Sequence, residues 1–204
     1  MSSLKFSVIP AIFLLAAAQA PAADLRFGVE VLASTPSADL RRIDSREGLG
    51  AGLTLDWPIA GPHALRTRIE YISHPKQGFA YEASHWTPNG PIVFIQTGDL
   101  SIEQFGWGLD YLYYPAGRPE GWHLDAGFQL FRYTASVKAT EVFFIAGTPR
   151  SEAYSKDESR NRVGCMVGFG YDFGRSWRAG LRFTSAQVEE TRLNAYTAVV
   201  GYRF

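Results

Sequence analysis

The chain has 204 residues, 46% of them apolar, and its 20 Lys and Arg balance 20 Asp and Glu for a formal net charge of +0. That length sets a prior of one domain, and the apolar fraction excludes a disordered chain. Charge balance argues against a nucleic-acid partner, and a single cysteine, Cys165, excludes an intrachain disulfide or a cysteine-built zinc site.

The first 22 residues read as an export signal. Lys5 precedes an apolar run from Phe6 to Ala18, and Ala18-Gln19-Ala20 or Ala20-Pro21-Ala22 offers a small-x-small cleavage site. Beyond it, no stretch approaches the ~18 consecutive apolar residues of a helical span. Residues 23–204 are expected to form one β-domain.

Period-two alternation recurs along that domain. A first predicted strand, Asp24 to Ser34, sets Leu25, Phe27, Val29 and Val31 against Arg26, Gly28 and Glu30. A polar loop follows, with Arg41, Arg42 and Arg46. The second, Glu47 to Trp57, sets Leu49, Leu53, Leu55 and Trp57 against Gly48, Gly50, Gly52 and Asp56, and ends in a turn at Pro58 to His63. The third, Ala64 to Ser73, carries Arg66, Arg68 and Glu70 opposite Leu65, Thr67 and Ile69. His74 to Gly98 reads as a long mixed loop, with Ile92 to Ile95 as a possible strand extension.

In the fourth strand, Asp99 to Tyr114, Phe105, Trp107, Leu109, Tyr111 and Tyr113 face away from Gln104, Gly106, Gly108 and Asp110. Leu100 and Ile102 fall on the other parity, which implies a bulge near Glu103 or a change of environment there. After a turn at Pro115 to Gly121, the fifth strand, Trp122 to Tyr133, alternates Leu124, Ala126 and Phe128 with His123, Asp125 and Gln129. Thr134 to Arg160 then reads as the longest connection. The last three strands end at Phe173, begin at Trp177 and close at Phe204, with a tight turn at Gly174-Arg175-Ser176 and a loop near Gln187 to Arg192.

One face of every strand is apolar, while the other is glycine, aspartate, glutamate and arginine. A lipid-facing wall around a packed polar interior has this pattern. Backbone groups in hydrocarbon must be paired within the protein, and strands achieve this only by closing into a ring. The expected fold is therefore all-β: a closed eight-stranded antiparallel up-and-down transmembrane β-barrel with short periplasmic turns and longer extracellular loops. Eight strands leave an interior that side chains can fill. The expected interior network is Arg26, Glu30, Arg66, Arg68, Glu70, Asp110, Asp125, Arg178, Arg182 and Arg203. Trp57, Tyr113, Trp122, Phe173, Trp177 and Tyr202 fall near the short turns and form the expected aromatic girdle at the headgroup level.

The export signal, the eight alternating strands and the terminal Tyr202-Arg203-Phe204 resemble the small outer-membrane β-barrel family of Gram-negative bacteria. That class includes OmpA-like transmembrane domains and OmpW- or Opa-like proteins. The resemblance implies a multi-pass protein of the cell outer membrane with both termini periplasmic. Phe204 matches the family's assembly signal, which implies the barrel-assembly machinery as a partner during insertion. Outer-membrane lipids and lipopolysaccharide are the expected surroundings, and a monomer the expected state.

Some barrels of this size modify lipid A, which requires a nucleophile and a base at the outer rim. His74 and His85 are the candidates, but Ser73 and His74 are adjacent and face opposite ways. No cofactor or metal is expected, since no ligand spacing appears. Three functions follow: a structural or surface-interaction barrel without enzymatic activity, a narrow channel for small or hydrophobic solutes, and a lipid A-modifying enzyme. The first is favoured, because nothing in the sequence pairs a nucleophile with a base.

Overall fold

The computed structural model describes residues 25–36, 47–88, 90–145, 148–188 and 191–204. The proposed signal peptide and the arginines of the first loop lie outside them. The strands are β1 (Arg26–Pro36), β2 (Gly48–Ala60), β3 (His63–Thr87), β4 (Gly90–Tyr113), β5 (Gly121–Ile145), β6 (Thr148–Phe173), β7 (Trp177–Val188) and β8 (Thr191–Arg203). Each pairs antiparallel with its neighbour, and β1 pairs with β8 from Gly28↔Arg203 to Pro36↔Ala195, closing an eight-stranded ring.

Burial in the ring follows the alternation of the sequence, inverted relative to a water-soluble domain. Val31 is 66% exposed, while its neighbour Leu32 is fully buried. Phe27, Leu53, Leu124, Phe128, Val167 and Leu181 all lie on the outer surface, and Arg66 and Arg68 are buried inside it. An apolar band around a charged core is stable only if the band meets lipid, since soluble monomers rarely expose contiguous apolar surface beyond a few hundred Å². Cys165 belongs to this outer face and is exposed.

The connections differ from the expected alternation of long loops and short turns. Pro58 to Ala60 belong to β2, with a register shift around Ile59, and the turn proper is Gly61-Pro62, where Gly61 has φ +53°. His74 to Gly98 and Thr134 to Arg160 are mostly strand. β3 pairs with β4 out to Thr87↔Gly90, and β5 with β6 out to Ile145↔Thr148. The loop expected at Gln187 to Arg192 shrinks likewise, because β7 and β8 pair as far as Val188↔Thr191. Above the ring, β3 to β6 therefore continue as a four-stranded sheet on one side.

The bulge is real but lies on the neighbouring strand. His74 pairs with Ile102 and Gln77 with Leu100, so β3 carries Pro75 and Lys76 opposite the single Ser101 of β4. β4 keeps its register with β5 throughout, and Leu100 and Ile102 stay on the inner face beside Gln104. What changes at that level is the environment. Beyond it β3 to β5 place Tyr81, Phe94, Val137, Ala139 and Phe143 on the inner face, while β6 keeps a charged inner row from Arg150 to Glu158. Just above the ring the outer face of β3 to β5 carries Glu82, Thr97, Asp99, Ser136, Lys138 and Thr140, with Val93, Ile95, Val142 and Phe144 nearer the tips. Tyr81 packs edge-on against Phe94 at 6.2 Å, and Phe94 against Phe143 at 5.1 Å. β4 and β5 make this exchange with no change of register, whereas on β3 the extra residue carries it. It turns the odd-numbered positions inward, so Phe79 and Tyr81 join the inner face that Leu100 and Phe94 occupy by even parity.

Candidate functional site: the charged interior and the long hairpins

Inward side chains from all eight strands converge on the ring axis in two linked clusters. The first lies toward the short turns. Asp56 on β2 accepts from Arg66 Nε at 2.7 Å and from Arg178 Nη2 at 2.6 Å. Asp172 on β6 accepts from Arg178 Nε at 2.9 Å, from the Tyr114 hydroxyl at 2.9 Å, and pairs with Arg203 Nη1 at 3.0 Å. His123 is buried beside it, with Nδ1 3.7 Å from Asp172.

The second cluster lies deeper along the axis. Arg182 bridges Glu30 on β1 at 2.8 Å and Glu70 on β3 at 2.5 Å. Arg68 pairs with Glu70 at 3.0 Å and with Asp110, while Gln129 donates to Glu70 at 3.0 Å. Asp125 lies 3.9 Å from Arg182 Nε, and Arg178 Nη1 reaches Glu30 at 3.6 Å, joining the two clusters.

Among the described residues, five arginines and six carboxylates are buried here (Arg66, Arg68, Arg178, Arg182 and Arg203; Glu30, Asp56, Glu70, Asp110, Asp125 and Asp172). Unpaired, each would pay a large desolvation penalty, and the pairing offsets it through charge-assisted hydrogen bonds. Small residues opposite leave the room. A Cβ on Gly108 would lie 2.6 Å from the Arg68 guanidinium carbon, and one on Gly170 2.6 Å from the His123 ring. Between the deeper cluster and the long hairpins is a cavity of about 10 Å³ lined by Ser34, Glu70, Gln104, Gln129, Tyr133 and Thr197, space for about one water.

Of the ten residues expected in the interior, nine lie buried within these clusters. Arg26 is half-buried at the start of β1, with Nη1 lacking a hydrogen-bond partner. Sequence reasoning did not single out Asp56, Asp172, Tyr114 or Gln129, all of which hydrogen-bond within these clusters. Parity was the available signal: Asp56 follows Gly52 and Thr54 on one face, and Asp172 follows Gly168 and Gly170.

Aromatic side chains ring the outer surface near the short turns. Trp122 packs on Tyr171 at 5.2 Å, Tyr171 on Phe173 at 4.7 Å, Trp177 on Tyr202 at 5.1 Å and Tyr202 on Phe204 at 5.3 Å. Tyr113 lies 5.8 Å from His63, and Trp57 pairs across from Leu65. The Phe204 backbone N–H donates to Phe27 O at 2.8 Å, tying the last residue to the first strand. Tryptophan is not confined to this end: Trp107 packs on Phe128 in mid-wall, and Trp86 stands 77% exposed near the tip of the first hairpin.

The two histidines weighed for catalysis are not brought together. His74 is buried at the inner rim, where a Cβ on Gly48 would meet its ring at 2.8 Å; Ser73 points outward. His85 is exposed on the hairpin, across from Ile92. Glu70, on the same inner face as His74, is held by Arg68, Arg182 and Gln129. Among the described residues, no group of three or more His, Cys, Asp or Glu is placed to hold a metal ion. On the hairpins, Glu158 is held below the usual carboxylate range by its hydrogen bond from Arg160, at 2.8 Å from Nε.

Residues 7–204 match the family described as outer membrane protein beta-barrel domain. No curated protein matches the chain in sequence. Among solved structures, the chain is similar to Ail, the attachment invasion locus protein of Yersinia pestis, with 11% identity over 88% of this chain and 97% of that one, at a TM-score of 0.52. It is also similar to the N-terminal β-barrel domain of Pseudomonas aeruginosa OprF, with 12% identity over 88% and 97% of the two chains and a TM-score of 0.41. Neisserial surface protein A gives 11% identity over 88% and 95%, with a TM-score of 0.40. At such identities the likeness is one of fold alone.

Proposed function

The chain belongs to the outer membrane protein beta-barrel domain family, and on that premise we propose that it is a non-enzymatic barrel of the Gram-negative outer membrane whose long hairpins form a surface for interaction. Its barrel is of the OmpA-like, OmpW-like or Opa-like kind. Residues 1–22 are a cleaved export signal. The short turns and both mature termini face the periplasm, the hairpins of β3–β4 and β5–β6 face outward among lipopolysaccharide, and Phe204 serves the barrel-assembly machinery. The barrel works as a monomer within its own membrane.

One observation carries this reading: the two faces of β3 to β5 exchange polarity at the level of His74, Ile102 and Tyr133. Below that level the apolar side faces out, as lipid requires; just above it the polar side of β3 to β5 faces out, as water requires. The charged interior fills the space that a diffusion channel would need. The aromatic band beside the short turns matches the headgroup level of the inner leaflet.

Planar-bilayer recording tests the closed interior. The purified protein is expected to give no stepwise conductance above the bare bilayer in molar salt. Regular openings would overturn the plugged-barrel reading in favour of a channel. Mass analysis of lipid A from cells with and without the protein is expected to give identical spectra, and a species that depends on His74 would overturn the non-enzymatic one.

A further inference from the structure

The four-stranded extension has a long open edge on β6. Pairing with β7 begins only at Gly164, so residues 148–163 are bound to β5 alone. Their outward row of backbone N–H and C=O groups is a template for another strand. On the inner face this edge reads Arg150, Glu152, Tyr154, Lys156 and Glu158, all exposed. Among the described residues, Arg150, Glu152 and Lys156 have no ion-pair partner within the chain.

We propose that this edge is a homophilic docking surface whose occupant is the same edge of a second copy, paired antiparallel about Tyr154. In that register Arg150 faces Glu158 of the second copy, Glu152 faces its Lys156, and the two Tyr154 rings meet at the two-fold axis. Every charged pair is of opposite sign, and each occurs twice. Directly opposed like charges are destabilising in a sheet, and they occur in every adjacent register. Centring on residue 153 sets Arg150 against Lys156, and centring on 155 sets Arg150 against Arg160 and Glu152 against Glu158. Centring on 156 or 157 places Lys156 or Asp157 against itself. Charges on an edge ordinarily keep strands apart. A run of one sign does so at every register, whereas this run leaves one register between residues 153 and 157 free of like-charge contact.

Direction decides where the second copy sits. An antiparallel partner is reversed, so its barrel points the opposite way along the strand. Resting on the outward orientation of the hairpins proposed above, the two barrels then lie in two apposed outer membranes rather than in one. Tyr154 stands about 26 Å along the strand beyond Arg162, at ~3.3 Å per residue, which keeps both barrels in their own bilayers. The surface therefore links one cell, or one vesicle, to another that displays the same protein.

The test uses the full-length protein in phosphatidylcholine vesicles, with clustering followed by light scattering. Wild-type vesicles are expected to cluster, and E152K or K156E vesicles to cluster at least tenfold more slowly, because each variant faces like charge with like. Mixing E152K vesicles with K156E vesicles restores opposite signs at all of these contacts and is expected to recover the wild-type rate. If the mixture stays as dispersed as either variant alone, or if E152K vesicles cluster like the wild type, the proposal is overturned. Tyr154→Cys in a Cys165→Ser background separates the two readings. A membrane-impermeant maleimide should label it on intact cells, and failure to label overturns the hairpin orientation and the docking surface with it. Labelling without clustering overturns the docking surface alone.

Discussion

Arg182 illustrates how a single interior side chain ties distant parts of the chain together. Its guanidinium holds Glu30 and Glu70, separated from it by 152 and 112 residues along the sequence. Removing it leaves two carboxylates buried without their main partner, and breaking a buried pair by deleting one member costs about 3–5 kcal/mol. Arg182→Ala is therefore expected to lower the stability measured by urea unfolding in lipid vesicles by roughly that amount. Gly108 is constrained from the other direction. A Cβ there would press on the Arg68 guanidinium carbon at 2.6 Å, and the displaced group pairs with both Glu70 and Asp110. Overpacking of this kind costs about 1–3 kcal/mol, so Gly108→Val is expected to be destabilising in the same assay, whereas Gly78→Val, with its nearest neighbour atom 3.8 Å away, is not.

At the scale of strands, each long element has two environments joined end to end. β5 presents Phe128 outward in the ring and Ser136 outward in the extension, on the same parity and eight residues apart. A charge on the lipid face costs ~2–4 kcal/mol at the bilayer midplane and ~0–1 near its edges. Phe128→Arg and Leu181→Arg are thus expected to fall in the first range and Ser136→Arg in the second, measured by vesicle unfolding. Equal costs at Phe128 and Ser136 would contradict the polarity exchange. The exchange also explains why the hairpins read as loops in the sequence. Pro75, Gly78, Pro91 and Pro149 look like breakers, and the charged run from Lys156 to Arg160 looks solvated. The charged run is indeed exposed, yet it pairs with Val137 to Tyr133 in an unbroken ladder. Edge position reconciles the two, since an edge strand tolerates proline and charge that a central strand does not.

For the whole molecule, ring closure and hairpin extension are separable. The ladder of β1 with β8 and of β1 with β2 involves no residue of the extension, and the ion-paired interior lies wholly below it. Shortening the β3–β4 and β5–β6 hairpins by removing 79–98 and 139–154 is expected to leave a barrel that still migrates as a folded species on unheated gels. Loss of that migration would mean that the extension nucleates the ring.

The sequence by itself determined the strands of the ring and which way each side chain faces. Alternation is local: Val29, Glu30 and Val31 point to opposite sides whatever their neighbours are. It also determined that the inner face would be glycine and charge, hence that arginines such as Arg66 and Arg178 needed carboxylate partners. Which carboxylates they meet was left to the tertiary structure, because Arg178 reaches Asp56 across 122 residues of chain, and only the register of the closed ring brings them to one level. The same holds for the hairpins. A bulge at Pro75 and Lys76 changes the phase of β3 without changing its composition, and the apolar residues beyond it turn from one face to the other only when β4 is paired beside them. Local pattern specifies a face; long-range pairing decides what that face meets.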